Sequence, residues 1–348
     1  MSESRPPHPS RSLLVTGGAG FIGSSFVEAA LERGHRVVVL DALTYAGHRE
    51  SLPVHDKCRL VVGDIRDAAV VAGLLEAEQV DAVVNFAAES HVDRSIDAPA
   101  AFIDTNVLGT FKMIAVSLEY WKKLPEDRKS AFRYLQVSTD EIYGALGETG
   151  KFTEESPMMP NSPYAASKAA GDLFVRAWNH TYGLPTITTN CSNNYGPRQH
   201  PEKLIPHLIT CALAGKPLPI YGNGKNTRDW IHVTDHCAGI LLALERGKLG
   251  ETYCFGGDAE RMNIDVARQI CGILDKVRPR SDGLGYEKQI EYVADRLGHD
   301  WRYAIDDTRA VNELGFTRRY AFDDGLSATV AWYLDNQEWC ELALKDRK

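Results

Sequence analysis

The sequence has no pair of cysteines at metal-binding or redox spacing. Its seven, Cys58, Cys191, Cys211, Cys237, Cys254, Cys271 and Cys340, are odd in number and scattered. That excludes a disulfide framework or a thiolate zinc site and leaves buried small hydrophobes in a reducing compartment. Long apolar runs are missing too. Residues 37–40 and 80–88, the latter broken by Asp81 and Asn85, fall far short of the roughly 20 residues that cross a bilayer. Positive charge is scarce: 39 Lys and Arg stand against 47 Asp and Glu, a formal net charge of −8. A bulk electrostatic hold on nucleic acid or anionic lipid is therefore not expected, and an anionic ligand must be gripped by a few local donors. No internal repeat, low-complexity tract or linker breaks the chain. Residues 1–11 hold three prolines and no apolar centre, and are expected to form a loose tail, not a signal peptide. The expected address is the cytoplasm, and the expected state a soluble protein.

What is present is a globular composition, 44% hydrophobic and 25% charged over 348 residues, enough for one large domain or two merged ones. Short β-branched runs near 13–15, 37–40, 59–62, 80–86, 134–137 and 185–189 alternate with helical patterns near 26–31, 68–78, 100–121 and 162–182. Apolar strands separated by helices predict an α/β fold with a doubly wound parallel sheet covered on both faces. After residue 190 the elements shorten and turn clusters multiply, as at Asn193-Asn194-Tyr195-Gly196-Pro197. This predicts a first domain over 12–190 and a smaller mixed α/β substrate lobe over 191–348, interleaved with the first.

The first strand runs into Gly17-Gly18-Ala19-Gly20-Phe21-Ile22-Gly23 and then a helix. Gly17 allows the sharp turn, Gly20 allows backbone to approach a pyrophosphate, and Gly23 allows helix and strand to pack closely. The helix N-terminus then offers free N–H groups to the phosphates. Asp41 closes the second strand 18 residues later, placed to accept from ribose hydroxyls and to repel a 2′-phosphate. The arrangement predicts a Rossmann-type domain that binds NAD in preference to NADP. Asp64, closing the third strand, either reaches the adenine or simply caps the strand end.

Tyr164 and Lys168 lie one helical turn apart, so the cation is expected to lower the phenol toward a working base. Such a pair alone is most often a surface pair. Downstream of a dinucleotide turn, and of a fifth strand ending in Ser138-Thr139 at the ligand-binding edge of the sheet, it reads as a catalytic one.

These motifs resemble the extended short-chain dehydrogenase/reductase superfamily, and within it the dTDP-glucose 4,6-dehydratase family, over nearly the whole chain. Residues 41–47 (DALTYAG), 86–96 (FAAESHVDRSI), 138–144 (STDEIYG), 190–197 (NCSNNYGP), 201–206 (PEKLIP), 228–230 (RDW) and 295–300 (DRLGHD) carry the resemblance. It implies cofactor contacts from Phe21, Ile22, Ala42, Leu43, Thr44, Ile65, Phe86, Ala87, Ala88, Ser90, Thr105 and Asn194, beside the glycines, Asp41, Asp64, Tyr164 and Lys168. It implies substrate contacts from Ser90, His91, Thr139 and Asn193. For the nucleotide it implies Lys203, Leu204, Pro219, Ile220, Tyr221, Arg228, Asn263, Asp295, Arg296 and His299, of which the arginines suit phosphate oxygens.

Asp140-Glu141 follows Thr139 directly. An exposed acidic pair is the common fate of such a dipeptide. At this strand end it supplies one proton donor and one acceptor to a sugar. The implied reaction is oxidation of a nucleotide-diphospho-hexose at carbon 4, loss of water across carbons 5 and 6, and hydride return to carbon 6. Tyr164 serves as base at the carbon 4 hydroxyl, Thr139 steadies it, Glu141 takes the carbon 5 proton and Asp140 protonates the leaving hydroxyl. A UDP-sugar dehydratase, a UDP-sugar 4-epimerase or decarboxylase, and a catalytically silent NAD-binding sensor are the alternatives; the acid pair speaks against the epimerase and decarboxylase, and the intact set of Tyr164, Lys168, Thr139, Asp140 and Glu141 against the sensor. His232 and His236 have helical metal spacing, but no acid pattern supports zinc, and no metal is expected. Arg198-Gln199-His200 and Leu297 depart from the family pattern and are expected beside the nucleotide pocket. The resemblance also implies a homodimer through the helices near 100–120 and 162–182.

Overall fold

In the computed structural model, which describes residues 10–345, six strands come first: β1 (Ser12–Thr16), β2 (Arg36–Asp41), β3 (Cys58–Val62), β4 (Ala82–Asn85), β5 (Arg133–Val137) and β6 (Thr186–Cys191). Then come β7 (Asn193–Tyr195), β8 (Leu218–Tyr221), β9 (Thr227–His232), β10 (Thr252–Phe255), β11 (Glu260–Met262) and β12 (Ile290–Val293). Seven of them form one parallel sheet in the order β10-β6-β5-β4-β1-β2-β3. The order reverses between β1 and β4, where open α/β sheets bind ligands. The sheet is the predicted Rossmann type with one strand more than the sequence suggested, because β10 returns from the second half to pair with β6. The orders β11-β9-β7 and β12-β8 make two small sheets in the C-terminal part.

Both faces of the main sheet are dry. Leu13, Val15, Val37 and Val39 pack on one side with Phe26 and Val27 of α1 (Phe21–Glu32), whereas Leu14, Val38 and Leu40 pack on the other with Leu74 and Leu75 of α2 (Ala68–Ala77). Successive residues of a strand point to opposite faces, so a fully apolar strand needs two layers of helices. After α3 (Val92–Asp97), a continuous helix Pro99–Lys123 is built of α4 (Pro99–Phe102), a π-helical stretch Ile103–Gly109 and α5 (Thr110–Lys123). It is long and apolar enough to cross a membrane by length and composition alone. The search for unbroken runs overlooked it because its apolar residues lie on faces, packed against α2 and against α7 (Pro163–Tyr182), which follows the short α6 (Glu126–Ala131). Helix α7 is fixed at both ends: Ser162 Oγ accepts from Ala165 N at 3.1 Å, Pro163 fills the first position, and Gly183 closes it at φ +72°.

The second lobe has its own core, formed by α8 (Leu204–Leu213), α10 (Asn263–Val277) and α11 (Phe322–Asp335) around Leu208, Ile264, Ile270, Leu274, Leu326 and Val330. Between them in sequence, α9 (Val233–Arg246) crosses back to the α1 face of the main sheet. The last helix is α12 (Gln337–Lys345). Of the expected loose tail, residues 1–9 lie outside the described residues. Ser10 and Arg11 are tied down, Ser10 Oγ donating to Gly34 O at 2.7 Å and Arg11 N to His35 Nδ1 at 3.1 Å.

Candidate active site

One cleft runs along the carboxyl ends of the strands, lined from Gly17 at one end to Lys203 at the other. Its cofactor half is shaped by backbone proximity. A Cβ on Gly17, which stands at φ +65°, would lie 2.7 Å from Ala87 N, and one on Gly23 would lie 2.2 Å from Gly17 O. Only glycine fits either place. Helix α1 opens at Phe21, five residues before the sequence pattern suggested, with Gly20 as its cap and no side chain over its first turn. Its N–H groups are thus left for an anion.

Asp41 is held by Ala19 N at 2.9 Å and Leu43 N at 2.8 Å, and burial pushes its carboxyl above its ordinary value against those bonds. Arg36, at the far end of β2, is occupied by Glu78 at 2.8 Å. Ala42, Thr44, Ile65, Phe86, Ala87, Ala88, Ser90 and Thr105 all line the cleft, Thr105 from the π-helical stretch; Leu43 does not line it and serves Asp41 through its backbone. Asp64 lines it while paired with Arg66 at 2.7 Å, which pulls its carboxyl down. A strand-crossing cradle of glycines, a fixed acid and an uncapped helix fits a dinucleotide with a free 2′-hydroxyl.

The reacting half is built on the end of β5. Thr139 caps a 3-10 turn, Asp140–Tyr143, accepting from Glu141 N at 3.3 Å, and Asn190 Nδ2 pins Thr139 O at 3.0 Å. Asp140 is 1% exposed, takes a 3.3 Å bond from Thr139 Oγ1, and its second oxygen has no partner. Burial, then Glu141, drives its carboxyl well above the ordinary range. Burial also raises Glu141, opposed by Arg296, Lys203 and Arg228. Of the two acids, Asp140 is the one pushed well above the ordinary range, with the Glu141 charge as its second cause.

Tyr164 lies 8% exposed in the same cleft. The expected lowering of its phenol is not met in the protein alone: burial, Glu141 and Cys191 push it well up. Lys168 Nζ, itself lowered by burial, donates to Val137 O at 2.8 Å. Desolvation outweighs one neighbouring cation here.

On the substrate side, Lys203 Nζ reaches across to Ser90 O at 2.8 Å, and Asn193 lines the cleft with a buried, unpartnered Oδ1. Tyr221, Arg296, Asp295 and His299 gather around Asp93: Tyr221 OH lies 3.4 Å and Arg296 Nη1 3.5 Å from its oxygens, while His299 meets Asp295 at 2.6 Å. Arg296 Nε and Asn263 Oδ1 are buried without partners.

Other predicted contacts are partly committed elsewhere. Arg228 donates to Thr227 O and Asp300 O and stacks 4.4 Å over Tyr303. Ile220 is core, Leu204 packs against that core, and Pro219 is half-buried. His91 caps α3 through Arg94 N, and burial takes it down to about 4. The amide of Asn194 is spent on His236 at 2.9 Å and Ser192 O at 3.0 Å, so only its other atoms line the cleft. His232 stacks on Tyr320 at 4.0 Å, so both histidines of the metal-like spacing have structural partners. Among the described residues no cluster of three or more His, Cys, Asp or Glu could hold a metal, and none of the seven cysteines is in a disulfide.

Arg198-Gln199-His200 corrects an expectation. Arg198 grips Glu28 of α1 at 2.8 and 2.6 Å, and Gln199 and His200 line the cofactor half, not the nucleotide end, because β7 delivers this loop beside α1. Leu297 is 76% exposed. Sequence reasoning missed Asn106, which clamps Glu89 through both N (2.8 Å) and O (2.9 Å) and so fixes the loop after β4. Nothing in the local pattern marks it, since its role depends on the π-helical stretch that turns it inward.

A family profile described as GDP-mannose 4,6 dehydratase matches residues 14–329. A dTDP-glucose 4,6-dehydratase of Xanthomonas campestris pv. campestris is 59% identical over 331 residues, 94% of each chain. The solved dTDP-glucose 4,6-dehydratase of Streptomyces venezuelae, with NAD and TDP bound, is 47% identical at TM-score 0.85, covering 95% of this chain and 99% of that one. That of Bacillus anthracis str. Ames, in complex with NAD, is 44% identical at TM-score 0.84, covering 96% and 100%.

Proposed function

This chain belongs to the dTDP-glucose 4,6-dehydratase family of the extended short-chain dehydrogenase/reductase superfamily, and from that premise we propose how its own residues carry out the reaction. It is an NAD-dependent hydro-lyase that converts dTDP-glucose to the 4-keto-6-deoxy sugar nucleotide. NAD, which the glycine turn, Asp41 and the N-terminus of α1 would hold, would supply the hydride acceptor for carbon 4 and the hydride donor for carbon 6. Tyr164 takes the carbon 4 hydroxyl proton while Thr139 orients that hydroxyl. The ketone acidifies carbon 5, and Glu141, raised by burial, removes its proton. Asp140, whose carboxyl burial and then Glu141 raise well above the ordinary range, gives its proton to the departing carbon 6 hydroxyl, which leaves as water. Lys203, Arg228 and Arg296 supply positive charge beside Glu141 and toward the diphosphate.

The observation that carries this reading is the Asp140-Glu141 pair sharing one cleft with Tyr164 and Lys168. Removing a base or acid from such a set costs roughly two to four decades in rate. With dTDP-glucose, Glu141→Gln should stop at a 4-keto hexose that keeps its carbon 6 hydroxyl and takes up no solvent deuterium at carbon 5. Full dehydration by that variant would remove Glu141 from the role. If the wild type isomerised carbon 4 of UDP-hexoses and never lost water, the epimerase reading would replace this one.

The sugar-nucleotide lobe is drawn from residues 191–348, with β10 and α9 returned to the NAD domain. Seven cysteines that form no disulfide suit the reducing cytoplasm. The chain is proposed to work as a homodimer. Ile103, Leu108 and Phe111 on the helix Pro99–Lys123, and Leu173 and Tyr182 on α7, are exposed apolar side chains, and the buried Trp178 Nε1, whose ring meets Phe111, has no partner.

A further inference from the structure

Helix α7 carries one more buried ionisable group than the chemistry above uses. Asp172 follows Lys168 by one helical turn and Tyr164 by two, so all three share a face. It is 3% exposed, and neither carboxylate oxygen makes a well-directed hydrogen bond. A carboxylate this far from water stays ionised only beside a cation. The amine of Lys168 is equally buried, donates to one backbone carbonyl at 2.8 Å, and has Asp172 as the foremost group favouring its charge.

We propose that Asp172 is a positioning residue for this reaction: its buried carboxylate, one helical turn from Lys168, keeps that amine charged under the cleft, and through that cation sets the proton affinity of Tyr164. The inference rests on the reading of Tyr164 as the carbon 4 base.

The surroundings leave Lys168 as the cation that matters. From β5 and the residue after it, Tyr134 and Ser138 face Asp172; from β6 comes Asn190, and from the 3-10 turn Tyr143. Ser138 and Asn190 favour the carboxylate, but their Oγ and Oδ1 atoms remain unpartnered. Burial and the Asp172 charge both push the phenols of Tyr134 and Tyr143 up, so these stay neutral and offer no compensating charge. Cys191 near Lys168 is likewise a raised, neutral thiol. Burial lifts Asp172 itself to about 6, with Lys168 opposing, so above about pH 6 Asp172 is charged on the same helix face as the amine, without a direct hydrogen bond to it.

The test is the pH profile of carbon 4 oxidation in a single turnover. In Asp172→Asn the ammonium loses its counter-ion, gives up its proton more readily, and no longer favours the phenolate. The acid limb should move up by about one pH unit, roughly a tenfold loss at any pH on that limb. Asp172→Glu, which restores the charge, should bring the limb back toward wild type. Lys168→Met should already show the shifted limb, and adding Asp172→Asn to it should shift nothing further.

An unmoved or downward-moving limb in Asp172→Asn overturns the proposal, as does an additive shift in the double variant. Should Asp172→Asn fail to fold, thermal stability decides. Lys168→Met leaves a lone buried carboxylate and the double variant leaves none, so the double variant must melt higher, and an equal or lower melt overturns the proposal. Tyr164→Phe run alongside separates the premises. If it still oxidises carbon 4, the base assignment fails; if it is inactive while Asp172→Asn is unshifted, only Asp172 fails.

Discussion

Asp140 is kept from water at the end of a strand, with one oxygen unpartnered, and that placement has a thermodynamic sign. A carboxyl whose folded-state proton affinity is raised binds more proton folded than unfolded between the two values. Stability contributed by the protonated form is full at low pH and declines as pH rises from the ordinary carboxyl range toward the raised one. Asp140→Asn should therefore melt on the order of 2–4 °C above wild type at pH 8, with a smaller gain near pH 4, while turnover falls. A gain that grew toward low pH would show that the acid is charged and satisfied in the fold. Tyr164 obeys the same burial in a different role. The sequence spacing located the Tyr164–Lys168 pair but could not weigh desolvation against one cation, because burial is a property of the assembled cleft.

At the scale of elements, the legible features were those with local periodicity or local chemistry. The glycine turn, Asp41 and the alternation of apolar runs with helices placed β1 to β6 and α7 within a few residues. Three features were not legible for physical reasons. β10 reads as one more short apolar run, and only its pairing with β6 returns it to the main sheet. The π-helical stretch that aims Thr105 at the cleft and Asn106 at Glu89 depends on packing against α7 and not on any residue signal. The loop 198–200 was assigned to the wrong end because sequence order cannot tell which helix it meets.

That loop leads to α12. Ala343 O meets His200 Nε2 at 3.1 Å, and Trp339 lies edge-on to His48 at 5.7 Å with its indole N–H 3.4 Å from Ser51 Oγ. His200 and the 44–47 segment both line the cofactor half. Trp339→Ala should loosen both loops together: NAD retained through purification should fall several-fold, and turnover should recover with added NAD. Unchanged NAD content after extensive dialysis would show that α12 is only a stabilising helix.

At the scale of the molecule, the catalytic helix faces two ways. One side of α7 carries Tyr164, Lys168 and Asp172, all buried. Leu173, on the side away from them, is 54% exposed; at the end of the helix Tyr182 is 48% exposed and meets Trp178, whose ring lies 5.7 Å from that of Phe111 of α5, with Phe174 5.9 Å from the same ring. Each such side chain gains about 1.5–3 kcal/mol when fully removed from water. Several side by side, with an unpartnered indole N–H among them, make a self-complementary contact between two copies worthwhile, each contributing the same pair of helices. Charge placed in the middle of that face should undo it. Leu173→Glu is expected to sediment as a monomer at micromolar concentration where wild type is a dimer, with a lower melting temperature. Its side chain points away from the cleft, so the loss of turnover should follow the loss of α7 rigidity and remain well short of the decades expected for Tyr164→Phe. A Leu173→Glu variant that stays dimeric, or a wild type that is monomeric at that concentration, would assign this face to another use.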